Sequence, residues 1–151
     1  MESLESIFET VAAAAGDIRA GLPGRRVYED GTNPSGERQY AADVHADELL
    51  EERLLALEDV ATYASEEREE ISEGDGGSLH VVCDPLDGSS NLTSNNGMGT
   101  VVGVYEERPP APGGALLASG YVLYGPITTM VTAVDGTVTE YLLEDGERTG
   151  L

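Results

Sequence analysis

From residue 4 to residue 18 the apolar side chains recur at helical spacing, with Ile7, Val11 and Ala14/Ala15 on one face, and Gly21-Leu22-Pro23-Gly24 stops the segment. The spacing predicts a helix over 4–18. Residues 29–37, with Gly31, Pro34 and Gly36, read as a loop. A helical pattern resumes over 41–57 through Val44, Leu49, Leu50, Leu54 and Leu55, with acids expected on its outer face. From residue 60 the period changes. Short apolar runs over 60–64, 79–83, 99–105, 116–124, 127–134 and 137–143 alternate with turn residues and read as strands. Pro109, Pro110 and Pro112 mark 106–114 as a surface connection, and Asp135-Gly136 reads as a hairpin turn. Two helices followed by a run of short strands predict an α+β fold, with the helices packed on a largely antiparallel sheet in layers.

Length and composition narrow this to one domain over 1–151, with a core of Leu, Val, Ala and Tyr, since the chain has one Phe and no Trp. The charge is more telling. There are 29 acidic residues against eight basic ones, all eight of them Arg, for a formal net charge of −21. Such a surface repels nucleic acid and anionic membranes and favours divalent cations, so no nucleic-acid and no membrane partner is expected. An acid-rich, Lys-free composition resembles cytoplasmic proteins of salt-accumulating organisms, in which screening relieves self-repulsion. Cys83 is the single cysteine, so no intrachain disulfide forms, and at a strand end it reads as a small buried hydrophobe in a reducing cytoplasm. No stretch approaches a membrane span, and acids stand where a signal peptide carries bases.

The chemistry concentrates in Asp84-Pro85-Leu86-Asp87-Gly88-Ser89-Ser90-Asn91, directly after the apolar run 79–83. Pro85 keeps Asp84 extended, and Gly88 permits a turn that a side chain would obstruct, so the carboxylates of Asp84 and Asp87 can converge with an intervening carbonyl. Hard oxygen ligands of this kind suit Mg²⁺ or Mn²⁺ rather than zinc. The N–H groups of Gly88, Ser89 and Ser90 can hold a phosphate if they open a helix or nest. Asp-Pro and Asp-Gly are also ordinary turn dipeptides, but the whole octapeptide after a buried strand favours a metal-phosphate loop.

Upstream, Ser65-Glu66-Glu67 stands where the strand over 60–64 ends. If that strand neighbours the one before Asp84, four carboxylates meet at one sheet edge. Alternatively Ser65 caps a short helix and the glutamates are its solvated first turn. Asp43, near the start of the second helix, reads by itself as a capping residue. His45 and His80 each stand alone and read as structural or solvated.

Taken together, 84–91, Ser65-Glu66-Glu67, Asn33-Pro34-Ser35-Gly36-Glu37 with Gln39, and the run 120–125 resemble the class I fructose-1,6-bisphosphatases. The Leu86 form of the loop favours fructose and sedoheptulose bisphosphatases over the inositol monophosphatases. The resemblance implies the N-terminal half of a layered αβαβα sugar-phosphatase fold. It implies that Glu66, Asp84, Asp87 and the Leu86 carbonyl bind Mg²⁺ (or Mn²⁺), and that Asp43 and Glu67 orient and deprotonate the attacking water. Gly88, Ser89, Ser90 and Asn91 would hold the 1-phosphate of the sugar bisphosphate substrate in metal-assisted hydrolysis, a gluconeogenic or pentose-phosphate step.

Nearly all of the chain is covered, but only about the N-terminal half of the family's sequence. The family's second half adds a further glutamate to the metals and most sugar contacts. A fragment, a split gene product or a stand-alone half is therefore expected, acting as a homo-oligomer or with a complementing C-terminal half. The alternatives are an inositol-monophosphatase-like phosphatase and a non-catalytic half that binds metal or a partner chain.

Overall fold

The first amphipathic segment folds as helix α1 (Glu2–Gly21), which buries Ile7, Phe8, Val11, Ala14, Ala15 and Ile18 to 1% exposure or less. It stops at Gly21, whose carbonyl accepts a hydrogen bond from the Arg25 guanidinium at 3.0 Å, with Pro23 just beyond. This computed structural model describes residues 2–151. The second helix, α2 (Ala41–Leu55), ends two residues before the expected boundary. Its buried stripe is Ala42, Asp43, Ala46, Asp47, Leu50 and Leu54, so two of its acids face inward, contrary to the expectation that they lie outside. Asp47 is hydrogen-bonded through both carboxylate oxygens, whereas Asp43 is bonded through one.

Between the helices, the region expected as a loop contains a hairpin of β1 (Tyr28–Thr32) and β2 (Arg38–Tyr40). All five residues of β1 are exposed, so no alternation marks it. The Tyr28 and Tyr40 rings stack 4.4 Å apart, and their hydroxyls lie 3.0 Å apart. Arg38 lies over the Tyr28 ring at 3.8 Å.

The main sheet comprises β3 (Val60–Ser65), β4 (Ser72–Glu73), β5 (Leu79–Asp87), β6 (Met98–Tyr105), β7 (Leu116–Tyr124), β8 (Thr128–Val134), β9 (Thr137–Glu144) and β10 (Glu147–Gly150). Their order is β10-β9-β8-β7-β6-β5-β3-β4. Only β3 and β5 run parallel, which bears out the α+β, largely antiparallel expectation. β5 continues four residues past the apolar run that revealed it, Ile127 lies outside β8, and the short strands β4 and β10 were not foreseen.

Both helices pack on one face of this sheet, α1 against β7, β9 and β10 and α2 against β3 and β5. That face is closed by Val81, Cys83, Val102, Val104, Ala118, Val122 and Met130, none more than 3% exposed. Fully burying such a side chain stabilises the fold by about 1.5–3 kcal/mol. Gly120 seats Phe8, since a Cβ there would stand 2.9 Å from the Phe8 ring and 3.0 Å from the Val131 carbonyl oxygen. The opposite face is bare. Val101, Tyr121 and Leu123 are 43–48% exposed, and β6, β7 and β8 contain no charged residue.

Candidate metal and phosphate site

The parallel pairing of β3 with β5 places Ser65 opposite Cys83, so the next residues, Glu66 and Asp84, emerge side by side at one sheet edge. The Glu66 N–H continues the ladder by donating to the Cys83 carbonyl at 3.0 Å. The chain then turns: the Glu67 N–H donates to Ser65 Oγ at 3.1 Å, and the Arg68 N–H to the Ser65 carbonyl at 3.2 Å. Ser65 thus ends a strand and shapes a turn, and no helix follows it. Glu66, Glu67 and Asp84 each offer a carboxylate oxygen within 4.8 Å of the others.

A bulge brings Asp87 round. In a regular strand, residues three apart point to opposite faces. Here Asp84 stands opposite Val101 and Asp87 opposite Gly99, three steps on β5 against two on β6, and the extra residue returns Asp87 to the face of Asp84. Pro85, which has no N–H to lose, sits in the bulge, and its carbonyl accepts a hydrogen bond from Thr100 Oγ1 at 2.8 Å. Gly88 then takes φ +75°, the left-handed region that favours glycine, and starts a short 3₁₀ turn over Ser89–Leu92.

These groups line a polar cavity of about 240 Å³ between the hairpin, the start of α2 and the edge of β3 and β5. Asp43, Glu66, Glu67, Asp84, Leu86, Asp87, Gly88, Ser89 and Ser90 all reach it. Asn91 does not; its Nδ2 donates to the Gly97 carbonyl at 2.9 Å and braces the loop. Asp87 lines the cavity outside the tight group of three. Neither His45 nor His80 reaches it; His80 Nδ1 lies 2.8 Å from Thr62 Oγ1 on the sheet. Cys83 is buried, and burial pushes its thiol upward, as expected of an inert residue.

Electrostatically the site is crowded with negative charge. Burial, followed by the neighbouring Glu66 and Asp87 carboxylates, pushes Asp84 up to about 8. Burial pushes Glu67 up to about 7 against the hydrogen bond from Gln39, whose Nε2 donates to Glu67 Oε2 at 2.5 Å. Asp43 is also raised, chiefly by burial, although the Tyr40 N–H, which donates to its Oδ2 at 2.8 Å, and the nearby Ser89 hydroxyl work against the rise. Among the described residues, Asp43 Oδ1 and Asp84 Oδ1 are buried side-chain oxygens with no hydrogen-bond partner. Converging carboxylates that suppress one another's ionisation and leave buried lone pairs free fit a divalent cation.

Tyr28, Arg38 and Tyr40 also line the cavity, and sequence reading did not single them out. Their place depends on the unforeseen hairpin. The turn Asn33-Pro34-Ser35-Gly36-Glu37 closes that hairpin, with the Glu37 N–H donating to Asn33 Oδ1 at 2.9 Å.

Comparison with known proteins accords with this geometry. The family model for the N-terminal domain of fructose-1,6-bisphosphatase matches residues 3–149, and the chain belongs to that family. It is 63% identical over 98% of its length to the class 1 fructose-1,6-bisphosphatase of Natronomonas pharaonis, of which it covers 53%. It is 52% identical over 98% of its length to that of Halobacterium salinarum, again covering 53%. The fold matches the holo form of Leishmania major fructose-1,6-bisphosphatase with a TM-score of 0.88 at 24% identity, over 99% of this chain and 53% of that one. The chain thus spans about half the length of the curated relatives it matches. Among the described residues no helix is long and apolar enough to cross a membrane.

Proposed function

We propose that this chain is the N-terminal half of a cytoplasmic, Mg²⁺-dependent phosphatase. The enzyme releases the 1-phosphate of fructose 1,6-bisphosphate, giving fructose 6-phosphate for gluconeogenesis; sedoheptulose bisphosphate is a second substrate of the same kind. The observation that carries the proposal is the shared cavity, where orphaned acid oxygens stand beside the Gly88–Ser90 turn. Glu66, Asp84, Asp87 and the Leu86 carbonyl would hold Mg²⁺, or Mn²⁺. The bound cation would lower the pKa of water and neutralise phosphoryl charge. Asp43 and Glu67 would orient the attacking water and accept its proton. Glu67 is placed beside the carboxylates that would hold the cation, and the hydrogen bond from Gln39 fixes its direction, which suits it to accept a proton. The amides of Gly88, Ser89 and Ser90 would hold the phosphate, with Asn91 bracing their loop.

The bare sheet face supports a second element of the reading. An apolar groove of about 550 Å³ runs across it from Val101, Gly103 and Leu116 to Glu66 and Asp84, which it shares with the polar cavity. A charge-free surface on a chain of net charge −21 suits burial rather than exposure to water. We assign it to the polypeptide that corresponds to the second half of the longer relatives, which would close the site and complete its substrate contacts.

The test is phosphate release from fructose 1,6-bisphosphate in molar KCl with Mg²⁺, using the chain mixed with the second half of the Natronomonas pharaonis relative. Release should require Mg²⁺ and fall more than about 100-fold in Asp84→Ala and in Asp87→Ala, since even residues that only support metal ligands are worth about 10–100-fold. Equal release by the variants, or none from the assembled wild-type pair, would refute the assignment.

A further inference from the structure

Three acids lie one turn apart on α2, and they are treated differently. Asp43 has a buried oxygen without a partner. Asp47 is fully satisfied: Tyr63 Oη donates to its Oδ1 at 2.9 Å and Arg68 Nε to its Oδ2 at 2.6 Å. Glu51 forms an ion pair with Arg68 Nη1 and accepts a hydrogen bond from Ser72 Oγ at 2.6 Å. Arg68 also lies 5.9 Å from the Tyr63 ring centroid. The Asp47 side chain is 6% exposed and that of Arg68 28%, so the Asp47 end of this forked arrangement is shielded from water and salt.

Arg68 directly follows Glu66 and Glu67 and is the only arginine between Arg53 and Arg108, a stretch with no lysine. Its side chain therefore ties the turn that carries two of the site's carboxylates to the helix that carries a third, Asp43. We infer that Arg68 is a positioning residue: by bridging Asp47 and Glu51 it locks the Glu66–Glu67 turn against α2 and thereby sets the divalent-cation affinity of the carboxylate cluster. This rests on the metal-site reading above.

The sign of the effect separates positioning from plain electrostatics. Removing a cation beside a cluster of acids would by Coulomb's law alone tighten metal binding. Losing the alignment of Glu66 and Glu67 would weaken it, as loss of residues that orient metal ligands does, by about tenfold or more.

The experiment is Mn²⁺ binding in molar KCl, followed by the EPR signal of free Mn²⁺, for the wild-type chain, Asp84→Ala, Arg68→Met and Arg68→Lys. Arg53→Met, which removes one positive charge from the last turn of the same helix, is the control. Arg68→Met should weaken Mn²⁺ binding about tenfold or more, Arg68→Lys should recover part of the loss, and Arg53→Met should leave affinity unchanged. Arg68→Lys keeps the charge and loses the fork, so electrostatics alone predicts no change for it, and it carries the test if Arg68→Met does not fold. Unchanged or tighter binding in folded Arg68→Met, or in Arg68→Lys where the former does not fold, overturns the inference while leaving the metal site standing. If wild-type binding is absent or does not depend on Asp84, the metal-site reading fails and this inference with it.

Discussion

The two faces of the eight-stranded sheet are built from the same strands and treated in opposite ways. Toward α1 and α2 the strands present Val81, Val102, Val104, Val122 and Met130, all closed from water. Away from the helices the alternate positions present Val82, Val101, Tyr121 and Leu123, with no element among the described residues laid over them. A solvated face of an antiparallel sheet is ordinarily marked by polar and charged residues. Here 29 acids are distributed over the chain and none falls in β6, β7 or β8. The difference teaches that alternation reports where strands lie, whereas the absence of charge reports what a face is meant to meet. Asp84 stands where the two environments join, at the end of the bare face and in the wall of the polar cavity.

Substitutions on the two faces should differ accordingly. Phe8→Ala empties the seat formed by Gly120 and should destabilise the chain by about 3–5 kcal/mol, read from denaturant unfolding in molar KCl. A loss below about 1 kcal/mol would mean that α1 is not anchored on this face.

A pH effect comes next, from the place where the faces join. Asp84 at about 8 and Glu67 at about 7 lie above their ordinary values of 3.8 and 4.5, so the folded chain holds extra protons between these limits. Since the native state binds more protons than the unfolded one in that window, stability falls as pH rises through it. The metal-free chain should melt lower at about pH 8 than at about pH 5.5, and Asp84→Asn should flatten the difference beyond what the general repulsion among the other acids produces. An unchanged slope in Asp84→Asn would contradict the crowded-carboxylate description.

The smallest effect belongs to the bare face. Tyr121→Ser should change the stability of the isolated chain by no more than about 0.5 kcal/mol, the usual size for an exposed position without special contacts. A loss like that of Phe8→Ala would show that the face is already covered.

Much of this was legible in the residues. The helices and six of the strands announced themselves by period, and the acids of the site other than Asp43 stand at strand ends where a few consecutive residues define the chemistry. The hairpin did not, because β1 is exposed throughout and is held by stacking of Tyr28 on Tyr40 rather than by a hydrophobic stripe. The extension of β5 through Pro85 was hidden because a bulge, not an apolar run, carries it. The bond between Asp47 and Arg68 joins residues 21 positions apart that follow no motif. An acid on a helix reads as solvated until the fold shows what it faces.

The central claim is that the bare face receives a second polypeptide layer, and its most direct test is assembly. The chain should form an equimolar complex with the second half of the Natronomonas pharaonis relative in molar KCl, measured by sedimentation velocity. A folded Val101→Asp/Tyr121→Asp double variant should fail to form it. Equal assembly by the double variant, or a wild-type chain that stays apart from that half, would contradict the account.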